Sequence, residues 1–92
     1  MAKKLWKKDE FVKNWKTACE EVMADSQDRT FEANQTAIKY LCGEVELQRD
    51  LLLSVENGEV DQTEWDETTW NDSLELLFSF IQVLQYTMDC SE

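Results

Sequence analysis

A chain of 92 residues with 42% hydrophobic and 32% charged side chains has the composition of one globular domain rather than a disordered segment, near the lower size at which a core sustains itself. It contains no proline and only two glycines, Gly43 and Gly58, which disfavours a sheet protein and its many turns. The net charge of −11 is unevenly spread: residues 1–16 carry six lysines against Asp9 and Glu10 (net +4), and residues 17–92 carry three basic groups against 18 acids (net −15). Such a surface repels nucleic acid and anionic membranes and attracts basic protein surfaces.

The chain begins with a basic segment, residues 1–8, in which Lys3, Lys4, Lys7 and Lys8 surround Leu5 and Trp6. No apolar run follows these lysines, so they do not read as a secretion signal. The expectation is a mobile start whose Trp6 packs near the first helix and whose lysines lie against the acidic body.

The first predicted helix spans about Asp9 to Ala24. Phe11, Trp15, Ala18 and Val22 step 4-3-4 and form one apolar stripe, with Asp9 as the expected N-cap. Asp25 to Asp28 then reads as a turn, because its short polar side chains compete for the backbone.

The second predicted helix spans about Thr30 to Glu56. Ile38, Leu41, Val45, Gln48, Leu52 and Val55 step 3-4-3-4-3, a heptad-like seam interrupted only by Gln48. Gly43 lies inside this helix, where it either permits a close helix contact or is simply tolerated. Asn57-Gly58 is the expected stop, with Gly58 in the left-handed conformation that closes a last helical turn.

The third predicted helix spans about Glu64 to Met88, with Trp70, Leu74, Leu77, Ile81, Leu84 and Met88 in 4-3-4-3-4 register. Thr63 to Asp66 approximates a capping box, and Glu64, Asp66 and Glu67 would complement the helix dipole. Leu76, Phe78, Phe80 and Val83 lie outside the seam, so the helix carries more apolar surface than one seam needs. Of these, Phe78, Phe80 and Val83 are the candidate self-association surface, and a homodimer is expected. The longest apolar region, Leu74 to Leu84, is too short to span a bilayer. The fold expectation is all-α: a three-helix bundle built on a long antiparallel helical hairpin with a shorter N-terminal helix.

The chain has no histidine, which removes His-based acid–base catalysis, His-dependent triads and His–carboxylate metal sites. It has no glycine-rich phosphate loop, and Asp61 to Asp66 lacks the glycine of a calcium loop. Cys19, Cys42 and Cys90 are odd in number and widely spaced, which argues for a reducing compartment and for cysteines that fill core space. The expectation is accordingly a non-enzymatic cytoplasmic protein of a bacterium or a phage-infected cell, without cofactor or metal. Acids on the second and third helices (Glu44, Glu46, Asp50; Glu67, Asp72, Glu75) leave a magnesium-dependent helical nucleotide pyrophosphohydrolase as a remote alternative. Their spacings do not reproduce the ExxE and ExxD pairs of that chemistry.

The densest chemical signal is acidic: Glu56 to Glu75 holds eight acids within 20 residues and no basic group. Glu59, Asp61, Glu64, Trp65, Asp66 and Glu67 are the candidate partner-binding residues, with Trp65 as an aromatic anchor among carboxylates. The expected partner is a basic protein surface, with neither nucleic acid nor membrane bound directly. The specific expectation is an inhibitor of a nucleic-acid-binding protein that imitates the phosphate row of DNA. The alternative is a small oligomeric assembly protein that works through the apolar face of its last helix.

Overall fold

The computed structural model describes residues 6–27, 34–60, 63 and 65–90. Within them the chain is all-helical: α1 (Lys8–Lys13), α2 (Trp15–Gln27), α3 (Gln35–Glu56) and α4 (Glu67–Cys90). No strand occurs among the described residues.

Four helices replace the three expected because the first apolar stripe is broken at Asn14. That residue leaves the helical region (φ −131°, ψ 34°), and its N–H donates back to the carbonyls of Glu10 (3.1 Å) and Phe11 (3.0 Å). Its own carbonyl accepts from Ala18 N–H (2.9 Å) and so opens α2. The 4-3-4 spacing survives the break, since Phe11, Trp15, Ala18 and Val22 are all buried. Spacing reports which residues face the core; it does not report a change of helix direction between them.

Several boundaries move for local reasons. The first helix starts at Lys8, capped by no side chain, so Asp9 lies in the first turn instead of preceding it. The turn expected from Asp25 does not form there, because α2 runs on through Gln27. Ser26 is buried, and its hydroxyl bonds the Met23 carbonyl (2.8 Å) and Cys42 Sγ (3.1 Å), so the side chain is satisfied without leaving the helix. The expected start of the second helix, Thr30, lies outside the described residues.

The end of α3 follows the sequence signal. Gly58 has φ 74°, its N–H donates to Val55 O (3.1 Å), and the Glu59 N–H donates to Ser54 O (2.9 Å). These are the paired bonds of a Schellman ending. Helix α4 begins three residues later than expected, at Glu67. Its cap is Asp66, whose carboxylate accepts the Thr69 N–H (2.8 Å).

Contacts between elements place the helices relative to one another. Trp15 meets Trp70 edge-on (ring centroids 6.1 Å, 78°), and Lys16 Nζ pairs with Glu56 (2.6 Å). The start of α2 therefore sits beside the end of α3 and the start of α4. At the other end of α2, Ser26 meets Cys42 near the start of α3. Phe11 packs on Phe78 (5.2 Å), which lays α1 over the middle of α4. The ion pair of Lys8 with Glu75 holds the same crossing at its edge. Trp6 is buried and lines a hollow with Gln82, Val83 and Tyr86, so it reaches the last third of α4, beyond the first helix.

The result is a slab. Its Cα extents are 44 × 24 × 16 Å, and the smallest matches two helix layers whose axes lie about 10 Å apart. Helices α1 and α2 lie over the α3–α4 pair. The core between the layers contains Phe11, Trp15, Cys19, Val22, Ile38, Val45, Leu52, Leu74, Leu77, Ile81, Leu84 and Met88. Leu41 and Trp70 are only partly buried against it. A Cβ at Gly43 would meet nothing within 4 Å, so this glycine serves no close helix contact.

Candidate interaction surface

The acidic stretch lies at the end of the slab where α3 stops and α4 starts. Glu59, Asp66 and Glu67 are exposed. Asp61 and Glu64 lie outside the described residues. Trp65 precedes α4 instead of standing on it, so its position follows from the connecting segment and not from helical phase. It is half-buried, and it borders an open hollow of about 390 Å³ with Val55, Glu56, Asp66, Glu67 and Trp70.

The floor of this hollow is fixed from below. Trp70 is held by its edge contact with Trp15, and Lys16 lies 5.5 Å from the Trp15 ring centroid while pairing with Glu56. Lys16, a cation that the structure places at this end, is thus taken up by Glu56 and the aromatic face. Glu59 and Glu67 make no ion pair with any other described residue.

Asp66 has a double role in the geometry. The Thr69 backbone N–H, and after it the Thr69 hydroxyl, hold the Asp66 carboxyl below the usual carboxylate range. It therefore stays charged to lower pH than an ordinary carboxyl and keeps the first turn of α4 closed. A ligand that neutralised Asp66 would compete with the cap, which leaves Glu59 and Glu67 as the described acids available without structural cost.

The other set of singled-out residues divides between two environments. Phe78 is covered on one side by Phe11, Phe80 is half-buried against the core, and Val83 is 51% exposed. Helical phase separates them: Phe80 lies two residues, about 200°, from Phe78. Helix α3 carries a matching set outside its predicted seam. Tyr40 (65% exposed), Leu47 (62%) and Leu51 are apolar and exposed on that helix. The signal was present as a 7-4 spacing outside the seam, masked by Glu44 between Tyr40 and Leu47.

The chemistry available elsewhere is sparse. Among the described residues no cluster of three or more histidine, cysteine or carboxylate side chains is placed to hold a metal ion. Burial pushes the Cys19 thiol up to about 12, opposed by the Arg49 guanidinium, so it packs as a small apolar group. No helix among the described residues is long and apolar enough to cross a membrane. No protein-family model, curated protein or solved structure matches the chain.

Proposed function

We propose that the protein is a small, non-enzymatic interaction module that engages a basic surface of another protein through the acidic end of its α3–α4 pair. The observation that carries this reading is the hollow beside Trp65, bordered by Glu56, Asp66 and exposed Glu67, where the local lysine is already engaged by Glu56; Glu59, just past the end of α3, is also exposed. An aromatic floor rimmed by carboxylates suits a partner that presents lysine or arginine side chains, whose stems pack on the ring while their heads meet the acids. In this reading α3 and α4 form an antiparallel hairpin whose connection is the working end. Its support is the closeness of Val55 and Glu56 to Trp65, Asp66, Glu67 and Trp70.

The specific form we favour is inhibition of a nucleic-acid-binding protein by a surface that imitates phosphate charge. The net charge of −15 over residues 17–92 supports it, because such a target carries the complementary basic groove. The test is direct competition, by fluorescence anisotropy, between this protein and labelled duplex DNA for DNA-binding proteins of the cell that produces it. The expected result is displacement of DNA that weakens steeply as salt rises and is lost in a variant carrying Glu59→Gln, Asp61→Asn, Glu64→Gln and Glu67→Gln. Displacement by that variant equal to the parent would refute the assignment to the acidic end.

A further inference from the structure

One large surface is explained neither by the core nor by the acidic end. On α3, Tyr40, Leu47 and Leu51 are each two residues from Cys42 or Arg49, the positions that meet Ser26 and Met23 of α2. Two residues correspond to about 200° of helix, so the three lie on the side of α3 away from α2. On α4, Leu76 and Phe80 are each two residues from Phe78, which meets Phe11 of α1; Val83 follows Leu76 by two turns and stands at the edge where this side meets the Trp6 hollow. These therefore lie on the side of α4 away from α1.

Since α1 and α2 form one layer, both stripes belong to the opposite, uncovered face of the slab. From Tyr40 to Leu51 the α3 stripe runs about 16 Å at 1.5 Å per residue, the length of three helical turns. The α4 stripe from Leu76 to Val83 is shorter, about 10 Å or two turns, and with half-buried Phe80 beside it the two stripes offer apolar surface for one further helix.

Charge chooses among possible occupants. Glu44 interrupts the α3 stripe between Tyr40 and Leu47, and Asp72 precedes Leu76 by one turn. Lys39 turns toward the α2 side, where it borders a hollow with Ser26 and Cys42, and Arg49 is bonded to Asp50 and Met23. Helix α4 carries no basic residue at all. The face is therefore apolar with acidic flanks. A second copy would bring the same acids and a net charge of −11 against them.

We propose that this face docks an amphipathic helix with basic flanks, supplied by a partner protein. Apolar side chains at i, i+3, i+4 and i+7 of that helix pack on the two stripes, and its lysines or arginines meet Glu44 and Asp72. The proposal is independent of the acidic end, because it uses none of residues 56–67.

The test uses the full chain and a synthetic peptide of about five turns, made of leucine and lysine with leucines at that spacing. An isomer of the same composition, with the leucines permuted off one face, is the control. Binding by anisotropy should be at least tenfold tighter for the striped peptide. Leu47→Ser with Val83→Ser should abolish that preference, and Glu44→Gln with Asp72→Asn should weaken binding severalfold and flatten its salt dependence. Because these positions are exposed, the variants should melt within a few degrees of the parent; if the serine pair fails to fold, Glu44→Lys gives the same readout by charge. Neutralising Glu59 and Glu67 should weaken both isomers alike and keep the preference for the striped peptide.

Equal binding of the two isomers, or of neither, overturns the proposal. Loss of the preference for the striped isomer on neutralising Glu59 and Glu67 also overturns it, by moving the site to the acidic end. So does sedimentation of the parent as a dimer that Leu47→Ser with Val83→Ser disrupts, since a second copy would then cover the face.

Discussion

Gly43 and Gly58 show how one residue type carries opposite meanings. Gly58 occupies a left-handed conformation (φ 74°) from which the paired bonds ending α3 follow. A side chain there is strained, and Gly58→Ala should lower stability by about 1 kcal/mol. Gly43 is helical with open space where a Cβ would stand, so Gly43→Ala should raise stability by about 0.5–1 kcal/mol. Urea denaturation of the two variants should displace the midpoint in opposite directions, and a shift of the same sign in both would contradict this assignment.

Asp66 gives a second residue-scale expectation. Its carboxyl titrates below the usual range because the folded state supplies the Thr69 donors. The stability it contributes is therefore complete above the usual carboxylate range and is lost as pH falls through its lowered folded value. Asp66→Ala should lower the melting temperature at neutral pH, Asp66→Asn should retain most of it, and both should show a smaller loss on acidification than the parent. An acid-induced loss in Asp66→Ala as large as the parent's would show that the cap does not contribute.

At the scale of elements, α1 depends on one contact more than any other. It is six residues long, too short to be stable alone, and is held by Phe11 against Phe78 with the Lys8–Glu75 pair at its edge. The ring contributes most of this, since both ion-pair partners are more than half exposed and such pairs add little. Phe11→Ala should cost about 3–5 kcal/mol and expose Phe78, whereas Lys8→Ala should change stability by less than about 1 kcal/mol. Thermal melts of the two variants check the contrast, and comparable losses would overturn it.

Which elements were legible in the sequence follows from the same physics. The seams of α3 and α4 could be read because each long helix repeats its spacing over many turns, and the Asn57-Gly58 ending because its chemistry is local. The break at Asn14 could not be read, since Phe11 and Trp15 keep their four-residue spacing across it. The burial of Trp6 was equally hidden, because it depends on α4, some 80 residues further along the chain. The acidic end was visible as charge, but the placement of Trp65 depends on where α4 starts, and that start was set by Asp66 instead of Thr63. The α3 half of the apolar face was missed because exposed leucines on one helix acquire meaning only beside those of its neighbour.

For the whole molecule, thinness and charge act together. The radius of gyration, 13.9 Å, exceeds the roughly 12 Å of a compact chain of this length, so more surface is presented per residue than in a sphere. That surface repels itself at low ionic strength, and the melting temperature should rise as salt increases from about 0.01 M to about 0.5 M. A melting temperature that falls over this range would mean that the ion pairs of Lys8 and Lys16 outweigh the general repulsion. Under the proposed function the same field would steer basic partners toward the slab, and the Trp65 hollow would receive them.

The proposed binding of a basic protein surface by the exposed acids at the α3–α4 end stands or falls on competition between this protein and labelled duplex DNA for a DNA-binding protein, followed as salt rises from about 0.1 M to about 1 M. Displacement should fall steeply with salt and be absent in the variant lacking the charges of residues 59, 61, 64 and 67, with its melting temperature preserved. Displacement that is indifferent to salt and unchanged in that variant would contradict it.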